Sequence, residues 1–565
     1  MSKLWAFNAK VPPATDLRPS RSQDDEEEHG PPMPAQEYWR MAALKRLRHK
    51  LVHYCSAKQD GTHTKAKPPV LALERWLSRA ALRNHPGDDP LIPSSPEIDP
   101  GLIQDLSRTL PSRQAAQRVA ELLTLQAHQA VQKLRQNIPS PQLESRGYAT
   151  VKENVVAVQK AADQLHKLLR RDTCSFLKET NELAEQLKIL SQSTKELSRS
   201  TFELSASKVI SGTKYNPDEN EIHISSARRP GMFDVSLSRD GKVLKPYLTI
   251  STPHLNKLLQ LWNLHQQESR QCQEPTKTNR APRVPPFYKD PIKEMNNRSS
   301  DESRLLKQSI YSVLARYEAL KGAGYQCAVP GQAFDAAAKA CGLGTTIECF
   351  ASPLNCRYRR YCSAFPDIEH VFGSVGSFFD DNAFDPYSGS FEANPPFVPE
   401  TMTQMGLKLE RLLSDPTKGP LSFLVIVPAW GEAGMDFCHS LEESAYQRAA
   451  TRIPAAQHAF CDGAQHTLRS KSQLLRPSSW DTAVILLQNA AGAKKWPVDT
   501  AKLEGVFSQA FKASLDGAQF TNLQAWEQRG KVNGGSERAK EQGHGDGLKR
   551  TLVRNPGHNK RPKMS

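Results

Sequence analysis

Four consecutive residues, Asn394, Pro395, Pro396 and Phe397, have the composition of a device for holding a flat nitrogen base. Proline has a fixed φ and no N–H, so the pair stiffens the backbone and displays carbonyls that a ligand's donors can use. The Asn394 side-chain oxygen can accept one proton of an exocyclic amine and the Pro395 carbonyl the other. Phe397 offers a ring on which the base stacks, a contact worth roughly 1–3 kcal/mol. Holding both N–H bonds lets an amine whose lone pair is delocalised into its ring shift toward a tetrahedral nitrogen. The lone pair then meets a methyl sulfonium in line, and the product ammonium sheds its proton afterwards, so no strong base is needed before attack. Such catalysis rests on orientation and electrostatic preorganisation. By itself the tetrapeptide is a weak signal. With proline at about 5% of residues, an Asn/Asp/Ser-Pro-Pro-aromatic run arises by chance in about one chain in forty of this length.

Its setting adds weight. "GSFEA" before it has the pattern of a strand, and "ETMTQMGLKLERLLSD" after it that of a helix. From Ser303 to about Trp526, helical stretches such as "SRLLKQSIYSVLARYEALKG" and "GQAFDAAAKACG" alternate with apolar strands: "TTIECFAS", "LSFLVIVPAW" and "DTAVILLQN". Uniformly apolar strands alternating with helices indicate an α/β domain with a parallel sheet covered on both faces. Ligands of such sheets bind beyond the carboxyl ends of the strands, which is where Asn394 to Phe397 falls.

Upstream, residues 37–204 follow a three- and four-residue apolar period, as in "AQRVAELLTLQAHQAVQKLRQ" and "VKENVVAVQKAADQLHKLLRR", and predict a helical domain. Residues 205–265 predict a connecting hairpin and helix: apolar and polar residues alternate around Asp240-Gly241, then Thr252 caps a helix with Pro253 at its first position. Residues 266–302 have the composition of a linker or insertion, and residues 1–36, with "DDEEEHG", that of a disordered segment. The basic tail, 527–565, carries ten Lys or Arg against three acids from Arg529 onward, and its "NKRPK" resembles a nuclear-import signal.

A net charge of +15 suits a polyanionic partner. Ten scattered cysteines without CxxC pairs suit reduced thiols of a cytosolic or nuclear protein better than a disulfide framework or a zinc site. No metal site is expected, no apolar run approaches a membrane span, and no HExxH, GxSxG or P-loop pattern is present. His458 and His466 are expected to be structural.

The residues around the tetrapeptide go further. "IECFASPLNCRYRRYCSAFPD", then "FG" and "SGSFEANPPF", with "PLSFLVIVPAW", "TAVILLQN" and "ERWLSRAAL…DPLIPS", closely resemble the phosphorylated CTD-interacting factor 1 family of cap-specific adenosine N6-methyltransferases. The resemblance runs from about Glu37 to Trp526. It implies a Rossmann-like methyltransferase domain preceded by an all-helical domain, with S-adenosylmethionine as methyl donor. The implied acceptor is N6 of the first transcribed 2′-O-methyladenosine, next to the 7-methylguanosine cap of nuclear mRNA. On that basis Asn394, Pro395, Pro396 and Phe397 carry the adenine and border the donor, and Glu348, Ser352 and Asn355 are candidates for further donor contacts. Trp430 matches the family's cap-side tryptophan, Glu432 follows it, and Arg75 and Glu400 are further candidates for the cap and RNA. The chain departs from the family at Pro399, Ala429, Gly431 and Gln104, where acidic, acidic, basic and arginine residues are usual. No tryptophan pair at WW-module spacing precedes Trp76, which argues against direct docking to RNA polymerase II and leaves an indirect link. Two other readings stay open: an internal RNA or DNA adenine methyltransferase, and a catalytically silent RNA-binding protein.

Overall fold

The computed structural model describes residues 33–56, 67–69, 71–83, 88–136, 220–239, 241–273, 285–321, 327–340, 347–430, 437–455, 457–467 and 474–516. Residues 1–32 of the expected N-terminal disordered segment, the helical stretches after Gln136 and the basic tail lie outside them, while the last residues of that segment, from Pro34, already belong to a helix.

Among the described residues, four helices come first: α1 (Pro34–Ser56), α2 (Ala72–Arg83), α3 (Pro100–Ser107) and α4 (Arg113–Gln136). The period seen in the sequence of α4 buries Ala116, Val119, Ala120, Leu123, Ala127, Val131 and Leu134 along one stripe. Helix α3 starts where Asp99 accepts the Leu102 N–H at 2.7 Å, with Pro100 in the first turn. These helices share one hydrophobic core with a small antiparallel sheet and several later helices, so they have no separate core of their own.

That small sheet has β1 (Asn220–Ser226) and β2 (Met232–Arg239) paired along their length, while β3 (Lys242–Val243) and β4 (Leu248–Ser251) share the other edge of β2. The expected hairpin closes at Arg239 and Lys242, with Gly241 at φ +70°, a backbone region costly for a residue with a Cβ. Helix α5 (Thr252–Gln273) follows at once and runs eight residues into the stretch expected to be a linker. A short helix, Pro291–Asn296, is capped there by Asp290, and α6 (Ser300–Leu320) starts at its own cap, Ser299. Two N-caps therefore order part of what proline content alone suggested was irregular.

After α7 (Gly331–Ala340) the larger sheet forms from β5 (Ile347–Ala351), β6 (Tyr361–Ser363), β7 (Gly389–Ala393), β8 (Leu421–Pro428), β9 (Gln447–Ile453) and β12 (Thr482–Gln488). Its order is β6-β5-β7-β8-β12-β9. Strands β10 (Ala459–Cys461) and β11 (Leu475–Pro477) pair with each other beside it. The first four strands of the larger sheet are parallel, but β12 runs antiparallel to both β8 and β9, so this is a mixed α/β sheet and not the wholly parallel one expected. An apolar run shows that both faces of a strand are covered, and says nothing of its direction. Strand side chains alternate accordingly. Phe423, Val425, Val427, Ile485 and Leu487 pack under α8 (Pro399–Ser414). Leu424, Ile426, Val484 and Leu486 face α7 and α9 (Thr500–Asp516).

Candidate functional site

Strand β5 lies between β6 and β7, so the chain leaves β5 toward one edge of the sheet and leaves β7 toward the other. Adjacent strands whose connections diverge in this way open a crevice beyond their carboxyl ends. The turn Ser352–Asn355 follows the end of β5 and the run Asn394–Phe397 follows the end of β7, so two groups of candidates from distant stretches meet at one switch point.

Asn394 is buried, and its Nδ2 donates to the Ile426 carbonyl of β8 at 2.8 Å. That bond fixes the amide plane and leaves Oδ1 as the acceptor. The Val398 N–H donates to the Pro396 carbonyl at 2.7 Å, folding the backbone tightly before α8 begins. Phe397 is half-buried and braced by two rings at right angles, Phe460 at 5.7 Å and Trp430 at 6.4 Å between centroids. Edge-to-face packing on two sides fixes the plane of the ring.

On the β5 side, Ser352 and Asn355 hold each other. Asn355 Oδ1 accepts from the Ser352 N–H at 2.7 Å and from Ser352 Oγ at 2.9 Å. Glu348 is buried within β5, and its Oε1 accepts the N–H groups of Arg357 (2.6 Å) and Tyr358 (2.8 Å), which pins the return of the same loop. Burial pushes its carboxyl up to about 7, although those two N–H bonds pull the other way. Glu392, its register partner on β7, is raised well above the usual range by burial and then by Glu348. A carboxyl raised on folding keeps its proton in the native state where the unfolded chain releases it. Its stabilisation is complete below about pH 4.5 and is lost as the pH rises toward 7. Glu348→Gln keeps the acceptor oxygen, so its melting temperature should fall less steeply between pH 5 and 7 than that of the wild type. Equal slopes in melts taken across that range would refute the assignment.

The cap-side candidates separate into two groups. Arg75 donates to Asp105 at 2.9 Å, and the other oxygen of Asp105 holds Arg79 at 3.2 Å. Arg79 is buried, is also held by Asp99 at 2.8 Å, and reaches Glu400 in the first turn of α8 at 3.4 Å. Arg75 and Glu400 are therefore linked through Asp105 and Arg79, beside an open cleft of about 600 Å³ bounded by Arg79, Leu82, Phe379, Glu400, Leu407 and Arg411. Sequence reading missed Arg79, although it lies four residues from Arg75 on the same helical face. Gln104 is exposed on α3. Trp430 belongs to the second group, between Phe397 and Trp480, and its indole N–H is buried without a partner among the described residues. Glu432 and Gly431 lie outside the described residues.

His458 is fully buried, with Nδ1 on the Pro454 carbonyl and Nε2 on Thr482 Oγ1. Among the described residues, no cluster of His, Cys, Asp and Glu could hold a metal ion, and no helix is long and apolar enough to cross a membrane.

Comparison with known proteins adds to this geometry. The family model for the phosphorylated CTD interacting factor 1 WW domain matches residues 284–463. A human mRNA (2'-O-methyladenosine-N(6)-)-methyltransferase is 27% identical over 506 residues, covering 86% of this chain and 68% of that protein. A mouse protein of the same name is 38% identical over 211 residues, 36% of this chain and 29% of that protein. The family model carries WW in its description, so the expectation of a chain with no recognisable WW match is corrected. The match falls on residues that build α6 to β10, far from the N-terminal stretch where tryptophan spacing was sought.

Proposed function

We propose that the chain is a member of the phosphorylated CTD interacting factor 1 family, to which it is similar, and that it transfers a methyl group from S-adenosylmethionine to N6 of the first transcribed 2′-O-methyladenosine of capped mRNA. The observation that carries this reading is the anchored amide of Asn394 beside the braced ring of Phe397, at the carboxyl end of β7. The sheet order, with parallel strands followed by an antiparallel β12, supports a Rossmann-like methyltransferase arrangement.

Phe397 stacks the adenine and sets its plane. Asn394 Oδ1 accepts one N6–H and the Pro395 carbonyl the other, which draws the nitrogen out of conjugation and aims its lone pair away from both acceptors. When bound, S-adenosylmethionine supplies a methyl on a sulfonium sulfur. The Ser352–Asn355 turn, held in shape by Glu348, borders the donor from the β5 side, and closure of the apolar wall around Phe397 and Phe460 keeps water from the reacting nitrogen. Transfer would break the donor's S–CH3 bond and leave a neutral thioether as the N–C bond forms; the resulting ammonium is acidic and would lose its proton as the product leaves the crevice, so the site needs no dedicated base. Trp430, Glu400 and Arg75 are assigned to the cap and RNA, with Glu432 a further candidate from the sequence alone. The basic tail supports a nuclear location, and the family supports a link to the transcribing polymerase.

The test is label transfer from S-adenosylmethionine to short RNAs of one sequence: capped with adenosine first, uncapped with adenosine first, and capped with guanosine first. Label should enter only the capped adenosine RNA. Equal labelling of uncapped RNA would favour the internal adenine methyltransferase, which the substitutions at Pro399, Ala429 and Gly431 make the second reading. No labelling despite donor binding would leave an RNA-binding protein.

A further inference from the structure

The β8–β12 ladder ends at the pair Pro428 and Thr482, and one more bond, from the Ala429 N–H to the Asp481 carbonyl at 2.7 Å, carries the pairing outward. The next residues across from each other are Trp430 and Trp480. Their rings stand nearly perpendicular, 6.4 Å apart between centroids and 83° between planes, and Trp480 is 51% exposed. Phe397, from the neighbouring strand end, meets Trp430 at the same distance and angle. Three adjacent strand ends thus carry a row of rings, and the row runs outward from the ring that stacks the target base.

An exposed tryptophan is often an ordinary surface residue. This one is held in place. The Ser478 hydroxyl donates to the Trp480 carbonyl at 2.7 Å and accepts its N–H at 3.3 Å. On either side, the Ser478 N–H donates to the His458 carbonyl and the Asp481 carboxylate accepts the Ala455 N–H at 2.7 Å. The backbone under the ring is therefore fixed, and less ordering is left to be done on binding. Tryptophan also gives the strongest cation–π surface among the aromatic residues.

We infer that Trp480 and Trp430 form an open aromatic corner that takes the positively charged 7-methylpurine of the cap, with Trp480 supplying the stacking face and Trp430 the wall between that base and Phe397. This rests on the reading of the substrate given above. It makes Trp480 a specificity-determining residue and supplies aromatic surface beside Ala429, where the resemblance leads one to expect an acid.

The experiment measures affinity of the full chain, by titration calorimetry, for three RNAs of one sequence: 7-methylguanosine-capped, unmethylated guanosine-capped and 5′-triphosphate. Wild type should prefer the methylated cap. Trp480→Ala should weaken binding to the methylated cap about tenfold and bring the two caps close together. Triphosphate RNA should be affected far less, and Trp480→Phe should restore much of the preference. A Trp480→Ala protein that melts normally and keeps the wild-type ratio between the two caps overturns the assignment of Trp480 and leaves the cap reading standing. A wild type that fails to distinguish capped from triphosphate RNA overturns both.

Discussion

Asn394→Ala should reduce methyl transfer to capped adenosine RNA by a factor on the order of 100 or more, the loss typical when one preorganised polar group is removed from a reacting centre. The amide has two tasks. Nδ2 ties the run to Ile426 of β8, and in the mechanism proposed above Oδ1 receives the target amine. Alanine removes both, so some stability is lost as well, roughly 1–3 kcal/mol for a buried carbonyl left without its donor. The two losses can be separated. Asn394→Asp keeps an oxygen that can accept N6–H but cannot donate to Ile426, so it should melt lower than wild type yet outperform alanine in turnover. The larger effect should fall on turnover under saturating RNA and the smaller on donor affinity, since Asn394 only borders the donor and the Ser352–Asn355 turn is untouched. Single-turnover labelling beside donor titration makes the distinction. An alanine variant within tenfold of wild type would remove Asn394 from the chemistry.

Much of this site was legible because its signals are local. Two prolines between an asparagine and a phenylalanine at the end of "GSFEA" define a rigid strand exit whatever the rest of the chain does. The buried strands "LSFLVIVP" and "TAVILLQ" were legible for the same reason, as each carries its burial in its own composition. What could not be read is registration between distant stretches. Ile426 becomes the partner of Asn394 only once β8 lies beside β7. Glu348 and Glu392 look like unrelated residues until β5 and β7 set them side by side. Arg79 meets Glu400 across 321 positions, and Trp480 faces Trp430 only because β12 turned out antiparallel. The reversed β12 was also the one error in the sheet, and it follows from reading burial as if it carried direction. Around 285–302 the fault lay elsewhere: Asp290-Pro291 and Ser299 are cap signals, and a high proline count masked them.

Replacing Arg316 should cost more stability than any single change in the crevice. Its guanidinium is fully buried, with Nε on Glu37 at 2.7 Å, Nη2 on Glu37 at 2.6 Å and on Asp367 at 2.9 Å, over the ring of Phe365. Burial would lower its proton affinity, but Asp367 and then Glu37 more than reverse that, and it stays charged throughout. Glu37 also holds Arg40, which reaches Asp89 at 2.9 Å, so one network fastens α1 to α6 and to the segment after β6. Arg316→Met fills similar volume yet leaves Glu37 buried with half its compensation gone, an expected loss of about 3–5 kcal/mol in urea unfolding. If the cost comes from the stranded charge, Glu37→Gln in the same chain should recover part of it, whereas lost packing would not be recovered. A single-variant loss below about 1 kcal/mol would show that the network is decoration. The consequence reaches the donor side. Tyr317, next to Arg316, donates to Glu369 at 2.8 Å, and its hydroxyl also approaches Ser352 after the end of β5. An α6 loosened at Arg316 releases that bond, so Arg316→Met should weaken donor binding below its melting transition.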